Sequence, residues 1–234
     1  MRRTFTISAG VLWLAALAVS SAAQTKDPAA LDNVLRKMDE ASASFHSAQA
    51  DFIWDQYQRV VDQHDIQKGT VYYRRVGKEI EMMAEIKEPD RKFVLYKGGK
   101  LQVYQPKIDQ VTEYPTGGNR NEIESYLVLG FGGSGQDLKN TFEVSYEGEE
   151  TIDNIVTAKL QLLPKSEKVR NGYFSKAFIW IDLNRGTSVQ QQFLQAQDDY
   201  RLAKYSDIRI NPKISNDVFQ LKTTKKTQFV SPRG

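Results

Sequence analysis

Three acidic side chains, Glu79, Glu81 and Glu85, alternate through one stretch of the sequence in a spacing that could serve acid and base chemistry. Strand spacing would put all three on one face, and a pair of carboxylates is the apparatus of glycoside hydrolysis. The residues between them, Ile80, Met82, Ala84 and Ile86, supply an apolar opposite face. Ordinary half-buried alternation therefore accounts for the acids as the wetted side of a sheet. The two histidines, His46 and His64, have no further ligand at a spacing that zinc uses and read as solvated residues. The stretch "GFGGSGQ" from Gly130 has the glycines of a phosphate cradle but lacks the Lys-Ser/Thr that closes a P-loop, so it reads as a hinge. No serine sits in a G-x-S-x-G elbow, and a chain without cysteine has no thiol chemistry and no Cys-ligated zinc. These residues point away from an enzyme.

What the chain offers instead lies in the elements around those residues. "MRR" followed by an apolar run from Ile7 to Val19 and by "SSAA" has the layout of a secretory signal, with Ser21 and Ala23 placed for cleavage after Ala23. Residues 1–23 are expected to be removed, leaving 24–234 as a single soluble domain in the periplasm. Losing Arg2 and Arg3 lowers Lys+Arg from 32 to 30 against 29 Asp+Glu, so the formal charge falls from +3 to +1. A nearly neutral, interspersed surface gives no basis for a nucleic-acid partner. The lack of cysteine suits a periplasmic domain whose core stands without disulfides.

Asp27-Pro28 is a helix start, and Leu31, Val34, Leu35, Met38 and Phe45 then form an apolar stripe, predicting an amphipathic helix over 28–45. Beyond it the period changes to two. Strands are expected over 79–87, 142–147 and 156–162, with turns at Lys68-Gly69, Val76-Gly77, Gly98-Gly99, Pro106, Glu147-Gly148, Asn171-Gly172 and Arg185-Gly186. The length fits ten or eleven strands in one antiparallel meander. "AFIWIDL", Ala177 to Leu183, is apolar on both faces and so needs a cover on each side, the helix being the obvious one. Glu122 to Leu129 reads as a short helix, and Ser215 to Phe219 as a turn or helical turn before a last strand.

A curved sheet with an apolar face closed by an amphipathic helix makes a pocket for an apolar ligand. Phe52, Trp54, Met82, Met83, Ile86, Phe93 and Leu95 are the expected lining, and methionines and aromatics adapt to varied apolar shapes. "YKGGKLQVYQPKIDQV", from Tyr96, adds a hairpin with Leu101 and Val103 on the inner side and Gln102 and Tyr104 on the other.

The runs "FHSAQADF", "GTVYYRR", "EPDRKFVLYKGGKLQVYQPKIDQV", "LQLLPK", "FIWIDLNRGTSVQQQF" and "YSDIRINPKISNDVFQLK" resemble, in order and spacing, the periplasmic outer-membrane lipoprotein carriers of the LolA type. The resemblance implies a mainly β fold with α, an incomplete (open) antiparallel β-barrel of about eleven strands with a helical lid over an apolar cavity. It implies a carrier that shields the acyl chains of lipoproteins between an inner-membrane lipoprotein-releasing ABC transporter and an outer-membrane lipoprotein acceptor, with no cofactor and, expectedly, as a monomer. The family's lid-closing arginine falls on Arg75 when aligned at Gly69, with Arg74 the alternative. The proline that follows it in the family is Val76 here, and the usual tryptophan of the hairpin is Gln102. A related lipid-binding or envelope-stress sensing protein with another cargo is the second reading.

Overall fold

The computed structural model describes residues 27–77, 79–115, 126 and 129–232. The expected signal, residues 1–23, and most of the helix expected over 122–129 lie outside them.

Helix α1, Pro28–Ala43, starts as its sequence demands: the Asp27 carboxylate accepts the N–H groups of Ala29 and Ala30 at 3.0 and 3.1 Å. It stops two residues before the expected end. Asn211 donates to Ser44 O at 2.8 Å and accepts the N–H groups of His46 and Ser47 at 2.7 and 3.2 Å, which turns the chain into the first strand and swings Phe45 inward.

Twelve strands follow: β1 Ser47–Gln58, β2 Gln63–Val76, β3 Glu79–Glu88, β4 Lys92–Lys97, β5 Lys100–Gln105, β6 Gln110–Pro115, β7 Phe142–Ile152, β8 Ile155–Pro164, β9 Lys176–Asp182, β10 Ser188–Leu194, β11 Tyr200–Ile210 and β12 Gln228–Val230. They form one sheet in the order β12-β6-β5-β4-β3-β2-β1-β11-β10-β9-β8-β7. The two ends do not pair, so the sheet is open. Its pairs are antiparallel except at one edge, where β12, the last strand expected after the Ser215–Phe219 turn, runs parallel to β6 instead of continuing the antiparallel meander. Short α-helices α2, Gly135–Thr141, and α3, Glu167–Gly172, are joined by single 3-10 turns at Arg59–Val61, Pro106–Ile108, Ala196–Asp198 and Asn216–Phe219, the last being the helical turn expected over 215–219.

Two expected turns are bulges inside strands. The β2–β3 register slips at Lys68/Gly69, and the β7–β8 register slips at Tyr146/Gly148. Glycine is needed at position 69 because a Cβ there would stand 2.1 Å from Glu85 O. The hairpin at Gly98-Gly99 is as expected: both have positive φ and Lys97 pairs with Lys100.

One face of the sheet carries α1, and we call it the inner face. Against it pack Val34, Leu35, Met38, Leu160, Leu162, Ile179 and Ile181 over β7–β9, and Ala50, Phe52, Val71, Tyr73, Met82 and Tyr96 over β1–β4. On β9 the helix covers only the inward Ala177, Ile179 and Ile181. The outward Phe178 and Trp180 lie instead under Lys159, whose Nζ is 5.1 and 5.0 Å from their rings, while Glu150 accepts the Trp180 indole N–H at 2.6 Å.

Candidate functional site

Strand alternation sorts the sequence-predicted residues onto two faces. Phe52 pairs with Gly69, Ile86 also pairs with Gly69, and Met82 pairs with Tyr73 and Tyr96, which places all three on the inner face. Trp54, Leu101 and Val103 share it: Leu101 pairs with Tyr96, and Trp54 is 36% exposed at the end of β1 away from the helix. Phe93, Leu95 and Met83 do not line this face. Met83 is next to Met82 and must point the other way, and its cross-strand partner Leu95 follows it. These three lie on the outer face beneath residues 214–221, where Phe219 is fully buried.

The two arginines are separated in the same manner. Arg74 points outward, donates to Glu81 at 2.6 Å and to Asn216, and stacks over the Phe219 ring at 4.2 Å. It fastens the C-terminal segment to the sheet. Glu81 is therefore a buried ion-pair partner rather than the wetted residue the alternation suggested, and Glu85 pairs with Arg91 at 2.6 Å.

Arg75 points inward. Its guanidinium donates to Ser42 O at 2.9 Å and to Gly132 O at 2.7 Å, and it approaches the Phe45 ring at 5.5 Å. Ser42 Oγ also donates to Gly132 O at 2.7 Å. One planar fork thus joins the end of α1 to the glycine-rich loop, which suits arginine because its five donors reach several carbonyls at once.

That loop is not an open hinge. Leu129, Gly130 and Phe131 are buried, and Phe131 is inserted between the first strands and β11. Gly130 and Gly132 have φ of +77° and +85°, and a Cβ on either would meet Ser188 Cβ at 2.1 Å or Phe45 Cδ1 at 2.5 Å. Ser188 N–H donates to Gly130 O at 3.0 Å, and the Gln191 amide donates to Leu129 O while accepting from Tyr205 OH at 3.3 Å. Burial pushes the Tyr73 and Tyr205 phenols up, as expected of hydroxyls held in the apolar wall around Phe131. Phe131, Gly132 and Ser42 escaped the sequence reading because nothing local marks a phenylalanine among glycines as buried.

The described residues hold no group of three His, Cys, Asp or Glu side chains fit for a metal ion. His46 is exposed as expected, whereas His64 meets the Asp55 carboxylate at 2.8 Å through Nδ1 and lies 4.7 Å from the Tyr57 ring. No described helix is long and apolar enough to cross a membrane.

An open antiparallel sheet whose apolar inner face is shut by an N-terminal helix and a loop aromatic defines a LolA-like fold. It is shared with an uncharacterised conserved protein from Thermus thermophilus, at a TM-score of 0.55 and 12% identity over 87% of this chain and 99% of that one. MucB superposes at a TM-score of 0.53 and 13% identity over 86% of this chain and 66% of that one. No protein-family model matches the chain. In sequence it is 25% identical over 199 residues to an outer-membrane lipoprotein carrier protein of Coxiella burnetii (strain CbuK_Q154), covering 83% of this chain and 85% of the relative. The sequence likeness is thus to a lipoprotein carrier, over most of both chains.

Proposed function

We propose that this protein is a periplasmic carrier that takes acylated lipoproteins from an inner-membrane ABC transporter, shelters their acyl chains on the inner face, and hands them to an outer-membrane acceptor. It works by binding, without a cofactor, after removal of residues 1–23. The observation that carries this reading is the latch: Arg75 holds Ser42 of α1 and Gly132 of the loop while Phe131 fills the apolar interior. Phe52, Trp54, Met82, Ile86, Leu101 and Val103 are the surface an acyl chain would meet once the loop withdraws. The likeness to named lipoprotein carriers supports the same reading.

The energetics fit a carrier with two states. Sheltering an acyl chain is worth about 0.8 kcal/mol per CH₂, so release needs a closed state that recovers part of that energy. Refilling the inner face with Phe131 and remaking the Arg75 bonds provides it. The test is a reconstituted transfer assay with Arg75→Leu, which should accept lipoprotein from inner-membrane vesicles and pass it on poorly. Transfer at the wild-type rate would remove the latch from the mechanism.

A further inference from the structure

The end of the inner face away from the Arg75 latch opens into a polar groove of about 400 Å³, lined among others by Gln56, Arg170, Tyr173, Phe174, Gln195 and Asp199. Two linings tie it to the inner face. Gln56 follows Trp54 on the inward side of β1, and Phe174 meets the inward ring of Phe193 edge-on at 5.0 Å.

Between Gln56 and Phe193, paired across the sheet with both, stands Arg201 of β11. It is half-buried, its Nε is shielded from solvent, and its side chain has no hydrogen bond or ion pair among the described residues. The nearby carboxylates are engaged elsewhere. Asp199 accepts the Arg59 N–H at 2.8 Å, Asp198 pairs with the Arg59 guanidinium, and Asp65 accepts from Gln67 at 3.3 Å. A guanidinium keeps its charge under all ordinary conditions, and one drawn partly out of water without an anion is costly.

Arg201 also stands at a particular point on the inner face. Arg201, Ala203 and Tyr205 alternate inward along β11, and Tyr205 meets Phe131 edge-on at 4.9 Å. From Arg201 to Tyr205 is about 13 Å at the rise of a strand. Between them lie Ala203 and, on β1, Trp54 and Phe52. An apolar row thus has an unpaired cation at one end and the loop's phenylalanine at the other.

We propose that Arg201 is a headgroup site, at which an acidic group, phosphate or carboxylate, at the head of an acylated ligand is held while its chain runs along Trp54 and Phe52 toward the place of Phe131. The proposal rests on the part of the carrier reading that makes the inner face an acyl-chain surface, and it adds a ligand class: acylated molecules whose head carries an acidic group.

The test uses the full chain and the fluorescent fatty acid parinaric acid beside its methyl ester, which has the same chain without the charge. The acid should bind about tenfold or more tightly than the ester, the scale of a hydrogen bond to a charged group. Arg201→Gln should abolish that preference and leave ester binding unchanged, which also reports an intact fold; Arg201→Lys should keep part of it. Phosphatidic acid should displace the probe more effectively than diacylglycerol of the same chains, and inorganic phosphate should not displace it. Equal affinity of the wild type for acid and ester, or an undiminished preference in Arg201→Gln, would overturn the headgroup site while leaving the lipid-binding reading intact. Displacement by inorganic phosphate would overturn it in favour of a free-anion site. If neither acid nor ester binds the wild type, the lipid-binding reading fails and the headgroup site fails with it.

Discussion

Phe131 stacks on Tyr73 with ring centroids 5.1 Å apart and planes 11° from parallel, although the two residues belong to a loop and a strand far apart in sequence. Tyr205 closes on the same ring edge-on at 4.9 Å, so one aromatic side chain of the glycine-rich loop is held between two strands of the inner face. The loop is therefore part of the core in the closed arrangement, and it is also the element whose withdrawal would uncover the inner face.

Phe131→Ala should consequently do two opposite things. Removing a fully buried phenylalanine lowers stability by about 3–5 kcal/mol, to be read from chemical denaturation. It also relieves the competition between loop and ligand, so a fluorescent fatty acid should bind more tightly than to the wild type. Weaker binding by a folded variant would mean that Phe131 supports the ligand rather than competing with it.

Gly132→Ala tests the loop's backbone separately. At φ +85° with Phe45 Cδ1 2.5 Å from the new methyl, the closed loop is strained twice, and a cost of about 1–3 kcal/mol is expected. Hydrogen exchange should show the cost locally, as faster exchange over 129–134 with the strands unaffected. Global loss of protection would place the loop in the folding core instead.

The outer face makes a contrasting case. Phe219 is fully buried against Met83 and Leu95 with Arg74 over its ring, all of them on the outer face. Phe219→Ala should cost about 3–5 kcal/mol of stability and release residues 211–232 to proteolysis. Affinity for an acyl ligand should be unchanged, and a marked change would show that the C-terminal segment communicates with the inner face.

Acidification should loosen the parallel edge strand. Hydrogen bonds from Thr224, Thr227 and Tyr104 hold the Asp109 carboxyl below its ordinary range, and Gln228 N–H donates to Asp109 O beside them. A depressed carboxylate lends stability above its unfolded pKa, about 3.9, and loses it as pH falls through the lower folded value. Proteolysis or exchange at 224–230 should therefore rise below about pH 4. Asp109→Asn, which tolerates the left-handed backbone at φ 47°, should flatten that dependence. An identical acid profile in the variant would assign the effect to other carboxylates.

Much of the architecture was legible because local chemistry and periodicity carry it. Asp27-Pro28 opens the helix, Gly98-Gly99 closes the hairpin, and alternation over β3 and β8 gives strands with the expected inward residues. The same rule, applied one step further, would have parted Met82 from Met83; grouping residues by apolarity alone put Met83, Phe93 and Leu95 on the wrong face. Gly69 and Gly148 read as turns because glycine serves turns and bulges alike, and only the partner strand distinguishes them.

The sequence by itself determined which residues would be apolar, where strands would begin and turn, and, through resemblance to lipoprotein carriers, that Arg75 or Arg74 deserved notice. Tertiary structure parted those two arginines, since adjacent residues on a strand face opposite sides and each side acquired a different cover: residues 214–221 outside, α1 and the loop inside. It likewise decided that Phe131 is core, that Glu81 is paired and that Arg201 is not. Each of these depends on contacts between segments distant in the chain, and periodicity, which reports only which way a side chain leaves its own strand, contains no record of what it will meet.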